Sequence, residues 1–158
     1  LDIDAVIPNL VSVQGQGNLP FPDINAIPIV PPAFTPGPGI ITINNPHPVP
    51  IVLDMLYRYH IQMQAADNDT IRFEGQISVN GGGGPLAHAL ASGPNGARII
   101  VDTTDLILRQ FVLLPALGNV TIQHSYRAFL GINPPVNPNT NIIDNNLNVS
   151  WHGVGLIP

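Results

Sequence analysis

Cysteine is absent from this chain, which excludes disulfides, thiolate nucleophiles and thiolate-ligated zinc. Lysine is absent as well. The five basic residues are all arginine (Arg58, Arg72, Arg98, Arg109 and Arg127), and Glu74 is the single glutamate. Charged residues make up 9% of the 158, against roughly 25% in an average soluble domain. With five arginines and a net charge of -5, little is left to build a basic face for phosphates, so nucleic acid is not an expected partner. The scarcity of Glu and Lys argues against a coiled coil or a long amphipathic helix. No apolar run approaches the roughly 18 residues a membrane helix needs. The strongest, residues 111–117, is interrupted by Pro115.

Proline is abundant and unevenly placed. The first fifty residues hold 11 of the 18 prolines and neither Lys nor Arg. Segments such as Pro20-Phe21-Pro22, Pro31-Pro32 and Pro36-Gly37-Pro38 cannot be helix and read as extended, polyproline-like chain. Short apolar pieces at 1–5, 11–13, 27–30 and 40–43 are strand candidates within it. The expected organisation is an extended Pro-rich N-terminal arm over residues 1–49 and a sandwich core over residues 50–158. The chain begins at Leu1 with no charged segment ahead of an apolar one, a form that a processed, exported protein and a trimmed chain share.

From residue 50 onward the periodicity is two. Ile51, Leu53, Met55, Tyr57, Tyr59, Ile61 and Met63 occupy odd positions, with Asp54, Arg58, His60, Gln62 and Gln64 between them. Side chains alternate faces along a strand, so residues 50–64 read as a strand buried on one side. Residues 70–80 repeat the pattern, with Ile71, Phe73, Gly75, Ile77 and Val79 on one face. The polar turn at 65–69 predicts a hairpin between the two. One register places Tyr59 opposite Gly75 and His60 opposite Glu74, and the alternative places Gln62 opposite Glu74. Residues 81–84 read as a flexible glycine loop, and 86–91 as a helical turn or irregular chain. Residues 98–102 and 106–114 are strand candidates. Residues 119–130 alternate again, with Val120, Ile122, His124, Tyr126, Ala128 and Leu130 together, and a last strand covers 147–154. Many half-buried strands and no long helix predict an all-β fold, an antiparallel β-sandwich or jelly roll.

No motif names an activity, and the chain is expected not to be an enzyme. Gly81-Gly82-Gly83-Gly84 lacks the Gly-Lys-Ser/Thr ending of a phosphate loop. Asp67-Asn68-Asp69 lacks the closing glutamate of a calcium loop and reads as a turn. Asp54, Arg58, His60 and Glu74, placed on one face by the predicted hairpin, read as cross-strand charge pairs rather than an acid/base cluster. His47, His60, His88, His124 and His152 show no zinc spacing, and His124 reads as a hydrogen-bonded core histidine. Tyr57, Tyr59, Tyr126 and Trp151 fall on apolar faces and read as core. No cofactor or metal is expected. Asn68, Asn119 and Asn148 head three Asn-x-Ser/Thr sequons and are the candidate glycosylation sites.

So little charge is a poor surface for a free monomer, and copies of the chain itself are the expected partner. The N-terminal segment offers a means. Residues 1–13 can act as a donor strand on a neighbour's sheet edge, with Leu1, Ile3, Val6 and Ile7 as anchors. The general layout resembles extracellular fibre subunits that polymerise by donor-strand exchange, and β-sandwich proteins of spore surfaces. The expected function is a structural subunit of an extracellular filament, appendage or surface coat. A virion coat or fibre protein is a variant of the same class. A secreted lectin-like binder using loops 81–96 and 131–141 is the alternative.

Overall fold

In a computed structural model, residues 9–25, 27–66, 69–92, 99–130 and 140–158 are described. They form eight strands and no helix: β1 (Asn9–Asn18), β2 (Thr35–Asn44), β3 (Ile51–Ala66), β4 (Thr70–Val79), β5 (Gly82–Ser92), β6 (Ile99–Leu114), β7 (Asn119–Leu130) and β8 (Asn141–Ile157). Sheet I has the order β1-β8-β3-β6 and sheet II the order β2-β7-β4-β5, with every pairing antiparallel. Strand 1 pairs with 8, 2 with 7, 3 with 6 and 4 with 5, which is a long hairpin rolled up on itself. The fold is a β-sandwich of jelly-roll topology.

The alternation read from the sequence corresponds to burial. Odd residues of β3 from Ile51 to Met63 are all buried, as are Ile71, Phe73 and Ile77 of β4 and Val120, Ile122 and His124 of β7. These faces meet between the sheets in one core. The strand reading of 106–114 holds, and it belongs to the single long strand β6.

The predicted β3–β4 hairpin is not formed. β3 pairs with β6 and β8, whereas β4 pairs with β5 and β7, so the chain crosses from one sheet to the other between them. Two strands with apolar faces satisfy the same pattern whether they lie side by side or face to face, and here they lie face to face. Tyr59 does meet Gly75, but across the core: a Cβ on Gly75 would lie 2.7 Å from the Tyr59 hydroxyl. Within the sheets, glycine lies opposite an aromatic at Gly15–Trp151 in sheet I and at Gly75–Tyr126 in sheet II.

The tight hairpin lies one connection later. Asn80 (φ 50°) and Gly81 (φ 78°) form a two-residue turn between Val79 and Gly82. An Asn-Gly pair favours this turn because both central residues need positive φ. Residues 82–92 are therefore strand β5, not a glycine loop followed by a helical turn. Asn80 Oδ1 also accepts the Thr121 backbone N–H at 2.9 Å, tying the turn to β7.

The Pro-rich first fifty residues contribute one edge strand to each sheet, β1 and β2. Between them the chain runs as an extended strap across the gap between the sheets. Leu19 and Ile24 bond the backbone of Leu147 and Ile142, and Pro28 accepts from Leu130 on the other sheet. Phe21 enters the core from this strap and stacks on Phe73 (5.5 Å) and Tyr126 (5.2 Å). On the outside, Arg127 donates to the Pro32 carbonyl at 3.2 Å and lies 4.4 Å over the Phe34 ring.

Candidate functional site

The charged residues that the sequence places on one face are divided between the two sides of the molecule. Asp54, Arg58 and His60 are on the outer face of sheet I, and Glu74 is on the outer face of sheet II. Their pairings also differ from those expected. Arg109 bonds Asp54 through two contacts of 2.8 and 2.6 Å, and the guanidinium holds the Asp54 carboxyl below its usual range. His60 Nδ1 lies 2.7 Å from Asp105. Glu74 accepts from Arg127 at 2.8 Å, half-buried beneath the strap. These are cross-strand pairs, the first two exposed, and among the described residues no cleft brings a carboxylate and a histidine onto one reacting position.

Nor do the described residues gather a metal set of three or more His, Asp or Glu. Asp69 is not a solvated turn residue. It is buried and accepts a short hydrogen bond from Thr140. His124 is a core histidine, as expected, but not a satisfied one. Both ring nitrogens lack a hydrogen-bond partner, and burial pushes its pKa from 6.5 down to about 4. It packs among Phe21, Tyr59 and Tyr126, with ring centroids 4.9, 5.3 and 5.8 Å away. Tyr57 and Tyr59 are fully buried. Tyr57 donates to Gln110 at 3.0 Å and is pushed up to about 12 by burial, whereas the Tyr59 hydroxyl has no partner.

A groove of about 560 Å³ lies under the strap, lined by Pro20, Phe21, Pro22, Pro36, Pro38 and Tyr126. Five of these six side chains carry no hydrogen-bonding group. A sugar needs several fixed polar partners, so the groove does not favour the lectin-like reading.

The feature that stands out is an apolar belt on the outside of sheet I. On β1 and β8, Leu10 pairs with Leu156, and Val154 lies beside Ser12. On β3 and β6, Val52 pairs with Leu113 and Asp54 with Phe111. β3 and β8 meet at Asp54 and His152, and the next outward residues in that direction are Val52 and Val154. Leu10, Val52, Phe111, Leu113, Val154 and Leu156 thus cross all four strands at one end of the sheet. Each exposes half or more of its surface. Surface hydrophobes scattered singly are ordinary, but a contiguous set marks an interaction site.

The belt was only partly legible in the sequence. The near-continuous apolar run in 106–114 carries the signal, since a strand apolar on both faces is covered on both. Val52 and Val154 break the polar alternation of their strands. What could not be read was that four separate strands bring these residues together.

Of the sequence-predicted assembly anchors, Leu1, Ile3, Val6 and Ile7 lie outside the described residues. Residues 9–13 of the candidate donor strand pair with Ile157 to Gly153 of their own chain. Asn68 is also outside the described residues. Asn119 is exposed at the start of β7. Asn148 is on the outer face of sheet I and donates to Asn18 Oδ1 at 2.9 Å. Residues 131–139 of the second predicted loop lie outside the described residues, and most of the first loop is β5.

No protein-family model matches the chain, and no curated protein matches it. Among solved structures it is similar to a chain in "Structure of infectious bursal disease virus Gx strain", with 8% identity and a TM-score of 0.35, covering 96% of this chain and 37% of that one. It is also similar to a chain in "Structure of infectious bursal disease virus Gt strain", with 9% identity and a TM-score of 0.30, covering 93% and 35%. The chain spans little more than a third of the length of the chains it matches. A likeness this distant carries no argument about function. No described helix is long and apolar enough to cross a membrane.

Proposed function

We propose that this protein is a non-enzymatic structural subunit of a self-assembling coat or appendage, working at the surface of a particle or cell. The observation that carries this reading is the apolar belt across the outside of sheet I. A folded domain that leaves six large apolar side chains side by side gains free energy by covering them, at roughly 25 cal/mol per Å² removed from water. The sparse surface charge points the same way, because charge is what keeps subunits apart in solution.

Within this class, a shell or sheet fits the belt better than a filament held by the N-terminal strand alone, because the belt is an area and a donor strand is a line. Leu1, Ile3, Val6 and Ile7 remain proposed anchors. Asn9, the first described residue, pairs with Ile157 next to Leu10 and Leu156, at the edge of the belt. Negative-stain electron microscopy and sedimentation velocity of the full chain test the reading together. Regular particles, sheets or fibres with a concentration-dependent sedimentation coefficient support it. A folded, monodisperse monomer at about 100 μM, where even a micromolar interface is saturated, overturns it.

A further inference from the structure

We infer that the outer face of sheet I is where two copies of this chain meet, and that this contact requires Asn148, at its border, to be unglycosylated. The inference rests on the assembly reading above and assigns it a face. The first argument is area. The six belt residues expose roughly 600 Å² between them, at the top of the range for the largest patch on a typical monomer. A standard interface needs about 800 Å² per partner, so the belt with its neighbouring polar rows is of the size a stable contact between copies uses.

The second argument is charge. Among the residues of this face whose side chains are described, Arg58 and Arg109 stand against Asp54 and Asp105, with Asp54 joined to Arg109 and Asp105 to His60. A face balanced in this way is suited to its own copy. It does not attract a polyanion or a strongly charged protein. The layout also matches interface anatomy, with an apolar centre, an aromatic (Phe111) under an arginine (Arg109, 5.0 Å from its ring) and a polar margin.

The third argument is strain. Leu117, in the turn after β6 at the belt's end of the sandwich, has φ 52° and is 70% exposed. A left-handed backbone suits glycine and strains a leucine, whose Cβ crowds the following carbonyl. A large apolar side chain held there in solvent gains nothing within its own subunit.

Asn148 shares a cross-strand row with Arg58, and Arg58 in turn pairs with the exposed Ile107. That row lies six residues along β8 from Val154 in the middle of the belt, about 20 Å at strand spacing. It borders a contact of standard size centred on the belt, and a glycan on Asn148 would sweep across the face.

The chain has no cysteine, so single-site labelling gives a direct test. Sedimentation velocity would compare the full chain with V52D/L113D, and with N148C and Q123C each coupled to a 5-kDa polyethylene glycol maleimide. Gln123 lies on the outer face of sheet II. Circular dichroism confirms that each is folded. The inference expects V52D/L113D to raise the concentration of half-assembly roughly a hundredfold, label at 148 to block assembly, and label at 123 to leave it intact. Assembly of folded V52D/L113D or of 148-labelled protein at the unmodified concentration overturns the assignment of this face while the assembly reading stands. A block by label at 123 alone moves the contact to sheet II and overturns it equally. Failure of the unmodified chain to assemble removes both. In material from a glycosylating host, a glycan on Asn148 in assembled particles would also overturn it.

Discussion

The unbonded His124 makes this fold acid-sensitive in a way that can be worked out from its surroundings. The ring sits between the sheets among Phe21, Tyr59 and Tyr126, with neither nitrogen bonded. Burial penalises the protonated form and lowers the pKa from 6.5 to about 4. The unfolded chain therefore takes up a proton near pH 6.5 that the folded chain refuses until about pH 4. The stability is fully present above pH 6.5, falls as pH drops toward 4, and is flat for this group below that. A span from 6.5 to about 4 corresponds to about 3 kcal/mol at about 1.4 kcal/mol per decade. For a domain of this size that is roughly 6–12 °C in Tm. Urea titrations from pH 7.5 to 4, at a concentration where the chain is monomeric, measure it. H124L removes the titrating group and keeps an apolar side chain of similar size. Wild type should lose about 3 kcal/mol more than H124L between pH 7 and pH 4. Parallel stability curves for the two proteins would refute the reasoning. Asp54, lowered by Arg109, also loses stability at acid pH, but in both proteins alike.

Three further outcomes are expected. G75A should destabilise the fold by about 1–3 kcal/mol in urea unfolding, because the new methyl would meet the Tyr59 hydroxyl at 2.7 Å and His124 Nε2 at 2.9 Å; unchanged stability would mean the two sheets are less closely apposed there. R127A should cost about 1–3 kcal/mol by leaving Glu74 half-buried without its partner, and should speed thermolysin cleavage within residues 28–36, since Arg127 holds Pro32 and Phe34. Identical cleavage rates would show that the strap is held by other contacts. L117G should leave stability equal or raise it by up to about 1 kcal/mol while weakening assembly. A loss of stability would show that the leucine packs within its own subunit.

How far the sequence reaches can be judged strand by strand. Alternation over 50–64, 70–80 and 119–130 identified three strands and which face of each is buried, because a side chain's face follows from position parity alone. The same argument placed His124 in the core. It was silent on whether His124 finds a hydrogen bond, since that depends on what the strap and the opposite sheet bring to it. The Asn80-Gly81 turn is legible from two residues and their need for positive φ, although the glycines that follow suit a loop equally well.

Local period and composition establish the strands over 50–64, 70–80 and 119–130 with their buried faces, the low charge and the all-β class. The tertiary structure alone decided which strands pair. β3 and β4 carry patterns that a hairpin and a face-to-face stack satisfy equally, and the choice depends on β6, β7 and β8, which lie tens of residues away. It therefore also decided that Glu74 is separated from Asp54 and His60, and that Leu10, Val52, Phe111, Leu113, Val154 and Leu156 become one surface. Such a belt is made by register between four strands, and register is a property of pairs, which no single segment contains.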